Sequence, residues 1–310
     1  MIVTSTDIRG LQEHATGKVR DIYDLGDSLL MVATDRISAF DVVLPTGIPD
    51  KGKVLTQMSL FWFELVDDVI ENHLVTADTD EVLEFIGRAG AVDPEQYRDI
   101  LDGRSMITVK ADPTPIECIV RGYLAGSAWK EYKALCNPSD GKKKVVLHGV
   151  KLPGDMVESQ KMPKPVFTPS TKATEGHDIN ISAERAREIV GEDIGRQLEA
   201  ASLAVYKRAS DYAAERGIII CDTKFEFGLF EDRLILIDEV LTPDSSRFWD
   251  AGVYEPGKSQ PSYDKQFVRD YLLTLDWDQT YPGPELPEEI VAKTAEKYRE
   301  AYRRLSGREL

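Results

Sequence analysis

The stretch from residue 221 to 240, Cys-Asp-Thr-Lys-Phe-Glu-Phe-Gly-Leu-Phe-Glu-Asp-Arg-Leu-Ile-Leu-Ile-Asp-Glu-Val, constrains the fold more than any other part of the chain. Its first arm alternates Asp222, Lys224 and Glu226 with Thr223, Phe225 and Phe227, the period of a strand with one polar and one apolar face. Its second arm, residues 234–237, is apolar and breaks at Asp238 and Glu239. A turn at Glu231-Asp232-Arg233 joins the arms as a β-hairpin in which Glu226 faces Asp238. Side chains directly opposite on paired strands stand roughly 4.5–5.5 Å apart, where like charges repel. Two carboxylates so placed point to a cation. A small oxygen set suits Mg²⁺, which takes one or two carboxylates and completes its shell with water and substrate phosphates. The same alternation also describes a solvated face on a two-stranded ribbon, and another turn would slip the register and separate the pair. Ile218, Ile219 and Ile220 leading in as a buried strand, and Lys224 between the acids, favour the chemical face.

At 310 residues the chain can bury a substantial core, as one large domain or two lobes. A net charge of −16 argues against nucleic acid or an anionic membrane as partner, since both need a basic footprint. It leaves room for a local basic pocket that holds a small anion. No apolar run reaches the ~18 residues of a membrane span. Residues 1–10 lack the charged and apolar regions of a signal peptide. Cys118, Cys136 and Cys221 are odd in number and lack metal-site spacing, as expected of a reduced cytoplasmic protein. A monomer and a small homo-oligomer both remain open.

Residues 18–34 read as two short strands around Gly26-Asp27, and residues 55–70 carry helical spacing through Met58, Phe61, Trp62, Leu65 and Val69. Residues 106–110 and 117–120 are short strands. The stiff Ala111-Asp112-Pro113-Thr114-Pro115 between them marks the lobe boundary, dividing the chain into 1–115 and 116–310. Residues 135–169, rich in Pro, Gly and Lys, form a long loop or a short extra hairpin. Ser182 caps a long helix that runs to about Arg216, with an interruption near residues 191–195 and Gly217 as terminator. An irregular stretch at 242–262, a helix around 264–275 and a C-terminal helix from about 288 to 304 complete the chain. Strands early and helices later give an α+β fold rather than a doubly wound parallel sheet.

Four further segments carry chemistry. Gly17-Lys18-Val19-Arg20-Asp21-Ile22-Tyr23 places a glycine, which admits a phosphate to the backbone, beside two cations on one side of a strand. That suits a triphosphate, and an exposed basic strand fits equally well. No Walker A pattern and no Gly-x-Gly-x-x-Gly is present. Residues 117–127, Glu-Cys-Ile-Val-Arg-Gly-Tyr-Leu-Ala-Gly-Ser, run from a strand into an ordinary turn or an anion-binding nest, with Arg121 at the strand's end. Residues 167–182 form a polar loop whose His177-Asp178 invites a general base, although no paired serine or cysteine makes it a triad. Residues 241–249 bring Arg247 beside the acidic hairpin, where a guanidinium can take a carboxylate or phosphate with two hydrogen bonds.

These segments, in this order, together with Asp238-Glu-Val-Leu-Thr-Pro-Asp-Ser-Ser-Arg-Phe-Trp249, resemble the SAICAR synthetase family of purine biosynthesis, and its longer form most closely. The resemblance runs from about Gly17 to Arg269. It implies an ATP-dependent ligase that joins the carboxylate of CAIR, a phosphoribosyl aminoimidazole carboxylate, to the amine of L-aspartate, giving SAICAR, ADP and phosphate with Mg²⁺ as cofactor. The implied route is an acyl phosphate from which the amine displaces phosphate. The implied fold has a small antiparallel β-rich N-terminal lobe, a larger α+β lobe, and an ATP-grasp- or kinase-like nucleotide cleft between them.

By the same resemblance, Gly17, Lys18 and Arg20 meet the ATP phosphates, Lys110 lies at the adenine through its backbone, and Glu117 belongs to the nucleotide side. Glu226 and Asp238 hold Mg²⁺. Arg121, Ser127, Lys172, His177, Asp178, Lys224 and Arg247 surround CAIR, with Lys265 and Arg269 facing its phosphate. Lys224, Arg247 and Asp178 are the implied catalytic residues, Asp178 as candidate base for the aspartate ammonium. Arg20 stands where some relatives carry lysine. Two other classes compete: a kinase-like Mg-ATP phosphotransferase acting on another small molecule, which would lack the His-Arg-Asp loop of protein kinases, and a nucleotide-binding regulator without turnover.

Overall fold

The computed structural model describes residues 1–136, 144–172, 179–263 and 265–310. β1 (Gln12–Thr16), β2 (Arg20–Asp24) and β3 (Ser28–Ala33) form an antiparallel meander, turned between β2 and β3 at Gly26 with φ +90°. Successive residues of β3 face opposite sides of the sheet. Leu30 and Val32 join a small core with Ile8, Val82, Ile86 and Ile107, while Met31 and Ala33 join the main core of the molecule. β4 (Ser38–Ala39) and β5 (Val42–Val43) make a tight hairpin ahead of α1 (Lys51–Leu65). β6 (Leu74–Thr76), α2 (Thr79–Arg88), α3 (Arg98–Leu101) and β7 (Ser105–Val109) complete the first sheet, in the order β1-β2-β3-β7-β6.

The chain leaves this sheet at Val109 and enters the second at β8 (Asp112–Pro113). There follow β9 (Ile116–Tyr123), α4 (Gly126–Leu135), β10 (Lys144–Leu147), β11 (Val150–Pro153), β12 (Lys161–Phe167) and β13 (Ser170–Thr171). Next come α5 (Ala183–Val190), α6 (Glu192–Ala214), β14 (Ile218–Phe230), β15 (Arg233–Ile237), β16 (Ser246–Asp250), α7 (Gln266–Leu272) and α8 (Glu288–Ser306). The second sheet runs β12-β9-β14-β15, with β13 on β9 and β8 and β16 on β14. Ladders between named strands are antiparallel among the described residues, and helices segregate from them, which is the α+β class. Within 135–169, β10 and β11 are the short extra hairpin, and they share a small core with α4 through Tyr132, Val145, Leu147 and Leu152. Ser182 caps α5 by accepting from the Arg185 N–H, and Gly191 at φ +89° separates α5 from α6. Among the described residues no helix is long and apolar enough to cross a membrane.

Several expectations change: the stretch 242–262, expected to be irregular, contains β16, and α1 ends at Leu65 rather than near residue 70. α1 begins at Lys51, four residues before the apolar spacing starts, because its first turn is buried by an ion pair that periodicity does not register: Lys51 Nζ lies 2.6 Å from Asp244. The hairpin register also differs. The β14–β15 turn is the two residues Glu231-Asp232, both left-handed at φ 50° and 61°, so Phe230 pairs with Arg233 and Glu226 faces Ile237, not Asp238.

Candidate active site

β14 sends Thr223, Phe225 and Phe227 into the core and presents Asp222, Lys224 and Glu226 on the opposite face. Asp238 lies one residue beyond β15, and its own left-handed backbone (φ 63°) swings its carboxylate to Arg20 of β2, 2.6 Å away. Glu239 adds a second contact to Arg20 at 3.4 Å. Glu226 accepts from Lys172 at 2.5 Å, with Lys224 at 3.8 Å; Lys224 in turn pairs with Glu117 at 2.7 Å. The two carboxylates therefore share one electrostatic neighbourhood by a route other than direct strand pairing. Burial pushes the Asp238 carboxyl up to about 6 against the pull of Arg20, and the charges of Glu226 and Glu239 add to the rise. Burial acts on Glu226 in the same sense, but Lys172, Lys224 and Arg20 outweigh it and hold that carboxyl below its ordinary range. Among the described residues no three His, Cys, Asp or Glu side chains converge as a metal set. A hard cation here could take Glu226 and Asp238 and would need phosphate or water oxygens for the rest.

Beside this acidic pair opens a cavity of about 680 Å³. The sheet register builds its basic wall: Asp222 of β14 is cross-strand neighbour of Arg121 on β9 and of Arg247 on β16. Arg121 donates to Asp222 (2.7 Å), to the Thr168 hydroxyl (3.0 Å) and to the Ser127 hydroxyl (3.4 Å). Arg247 donates to both Asp222 oxygens, its Nε at 2.7 Å from one of them. Burial alone would raise the Asp222 carboxyl; Arg247 and Arg121 pull it below its ordinary value instead. Gly126 stands at φ +59°, which favours glycine, and a Cβ there would lie 2.1 Å from the Arg247 guanidinium, so a larger residue would force this arginine to shift. Lys265 and Arg269, one turn apart where α7 begins, line the same cavity with Ser127 and Lys224. Burial lowers the pKa of Lys265.

The structure thus brings Arg121, Ser127, Lys224, Arg247, Lys265 and Arg269 together on one cavity, with Lys172, Glu117, Glu226, Asp238 and Arg20 adjoining through contacts to Lys224 or to one another. Gly17 closes the β1–β2 turn by donating to the Arg20 carbonyl at 2.8 Å. Lys18 lies on Asp41. The Lys110 ammonium is directed to Asp24 at 2.7 Å. His177 and Asp178 lie outside the described residues.

Several site groups carry no recognisable sequence signal. Arg36 donates to the carbonyls of Gly17 (2.9 Å) and Lys18 (3.2 Å) and clamps the glycine turn from a loop after β3. His73 is buried, and its imidazole pKa is pulled down to about 3, first by burial and then by Arg20. Asp244 joins Lys51 to the Tyr298 hydroxyl (2.6 Å) on the cavity's floor. Asp222 alone was legible, as the first member of the polar alternation on β14.

Residues 13–284 match the SAICAR synthetase family. The phosphoribosylaminoimidazole-succinocarboxamide synthase of Thermodesulfovibrio yellowstonii is 55% identical over 306 residues, covering 99% of both chains. Among solved structures, the SAICAR synthase of Saccharomyces cerevisiae, complexed with SAICAR, is 44% identical over 99% of each chain with a TM-score of 0.87. A type-2 SAICAR synthetase in complex with ADP is 25% identical, with a TM-score of 0.66 over 96% of this chain and 98% of that one. These likenesses favour the ligase over the kinase-like alternative and over a regulator without turnover. The chain belongs to the SAICAR synthetase family, the ATP-dependent ligases of purine biosynthesis.

Proposed function

We propose that the protein joins the carboxylate of CAIR to the amine of L-aspartate, with ATP and Mg²⁺, and releases SAICAR, ADP and phosphate. One observation carries the reading. A cavity walled by Arg121, Arg247, Lys265 and Arg269 adjoins the carboxylates of Glu226 and Asp238, and Lys224 borders both. Such a wall suits a phosphorylated, carboxylated substrate, which the chain's −16 charge would otherwise repel.

A carboxylate is a poor electrophile. Attack of its oxygen on the γ-phosphorus releases ADP and forms an acyl phosphate; the amine then attacks the carbonyl carbon, phosphate leaves, and the nitrogen sheds a proton. The protein's share is positioning and charge neutralisation. In this reading ATP lies between residues 1–115 and 116–310, its phosphates meeting Gly17, Lys18 and Arg20 and its adenine the backbone at Lys110. Mg²⁺, when bound to Glu226 and Asp238, neutralises phosphate charge. Arg121, Ser127, Arg247, Lys265 and Arg269 hold CAIR, with Lys172, His177 and Asp178 on the same side, and Lys224 sits between carboxylate and phosphate. The free thiols of Cys118, Cys136 and Cys221 fit a reducing, cytoplasmic setting.

ADP formation measured with each substrate omitted in turn tests the proposal: sustained turnover requires ATP, CAIR and L-aspartate together. Sustained ADP release without L-aspartate would return the phosphotransferase. CAIR labelled with ¹⁸O in its carboxylate should yield labelled phosphate; absence of label excludes the acyl phosphate.

A further inference from the structure

Arg36 commits every nitrogen of its guanidinium to the protein itself. Its Nε donates to the Lys18 carbonyl at 3.2 Å and its Nη1 to the Thr4 carbonyl at 2.7 Å. Its Nη2 donates to the Gly17 carbonyl at 2.9 Å and to Asp21 at 2.8 Å. The side chain is 11% exposed. Its partners are themselves tied down. Asp21 is buried and also accepts from the Thr6 N–H (2.8 Å) and the Thr6 hydroxyl (2.9 Å). Asp35, next to Arg36 in the chain, accepts from the Val3 N–H at 2.7 Å. The N-terminal segment is thereby strapped to the glycine turn, with Arg36 between them.

The consequence lies in the peptide planes. A trans peptide directs its N–H opposite its carbonyl. Arg36 draws the Gly17 and Lys18 carbonyls to one side, so the N–H groups of the same two peptides, those of Lys18 and Val19, are directed away from the guanidinium. Neither N–H has a hydrogen-bond partner among the described residues. Both ends of the turn are fixed: Gly17 N–H donates to the Arg20 carbonyl at 2.8 Å, and Thr34 N–H donates to the Val19 carbonyl at 2.8 Å. Successive N–H groups held to one side of a fixed turn make a concavity for an anion. The turn leads directly into Arg20, which reaches Asp238 and Glu239. An anion seated on it therefore adjoins the acidic pair.

We infer that the Lys18 and Val19 N–H groups receive a phosphate of the nucleotide, and that Arg36 is the positioning residue that shapes them for it without touching the ligand. The inference rests on the ATP-dependent reading above and adds to it a residue that the glycine turn itself does not contain.

Arg36→Lys keeps the charge but cannot hold two carbonyls in one fork. In the full chain it should raise the KM for Mg-ATP about tenfold or more, the size of one lost charge-assisted hydrogen bond. The KM values for CAIR and L-aspartate should stay near wild type, and so should competitive inhibition by adenosine, which carries no phosphate. Arg36→Gln should lose at least as much affinity for Mg-ATP. A wild-type KM for Mg-ATP in Arg36→Lys overturns the inference, since charge alone would then suffice. An equal loss of adenosine inhibition overturns it as well, since the whole cleft would then be disturbed. The wild-type protein supplies a test that needs no variant. In ¹⁵N-labelled protein, saturating ADP, but not adenosine, should move the Lys18 and Val19 amide proton resonances downfield and slow their exchange. Amides that respond equally to adenosine, or that ignore ADP, overturn the inference whether or not the variants fold. Failure of the ligase reading would show separately, as wild-type protein whose ADP formation ignores L-aspartate.

Discussion

Asp222 holds two guanidinium groups at once, those of Arg121 and Arg247. Their positive charges face each other across β14, and the shared carboxylate converts that repulsion into a three-membered ionic row. The group is buried, with its pKa displaced below the ordinary 3.8. A carboxylate depressed by folding contributes stability that is fully present above its unfolded pKa and is lost as pH falls through the folded one. Melting temperature followed by circular dichroism should therefore decline as pH drops below about 4. Asp222→Asn should flatten that acid limb and cost about 3–5 kcal/mol near neutral pH, the range for removing one partner of a buried ion pair. An acid limb unchanged in the variant would show that the row contributes nothing to folding.

At the scale of elements, two ends of secondary structure show what the sequence could and could not convey. The polar and apolar alternation of β14 identified its chemical face, because a strand's period is local. The turn at Glu231-Asp232 lacks the Asn-Gly or Asp-Gly signal of a two-residue hairpin, so its length was open, and the register moved by one residue with it. The two carboxylates nevertheless lie in one electrostatic neighbourhood, Asp238 leaving the strand in a left-handed conformation that no alternation rule describes. Partners far apart in sequence were equally hidden: Arg121 meets Asp222 across 101 positions, and Lys51 meets Asp244 across 193. Replacing Glu231-Asp232 by Asn-Gly should stabilise the hairpin by about 1 kcal/mol by relieving two left-handed side chains, leaving KM values unchanged; urea midpoints measure it. The start of α1 makes the opposite case. Asp244→Ala would strand the Lys51 ammonium, which is 0% exposed, and should cost about 3–5 kcal/mol. Lys51→Met with Asp244→Leu should recover much of it, since no buried charge is then left unpaired. A double variant as unstable as the single one would assign the loss to shape rather than charge.

For the whole molecule, the main core runs without a break from Met31 and Ala33 of the first sheet through α1 to α6, α8 and β14 of the second. The two sheets are thus fastened on their apolar side, whereas across the proposed nucleotide cleft they meet through polar contacts, Arg20 with Asp238 and Glu239. A ligand gripped from both sides of that cleft adds its binding free energy to the folded state alone. At one hundred times its dissociation constant the gain is about 2.7 kcal/mol. That corresponds to a rise of several degrees in melting temperature for a chain of this size, at about 2 °C or more per kcal/mol. Mg-ATP should give that shift, and ATP with chelator a smaller one, because in the proposed site the carboxylates of Glu226 and Asp238 would then face the phosphates with no metal ion between them. Glu226→Ala should leave the unliganded protein folded and abolish turnover while making the shifts with and without Mg²⁺ equal. A variant that kept the full magnesium-dependent increment would take the metal away from β14 and, with it, the reason for a buried acidic pair beside a basic cavity.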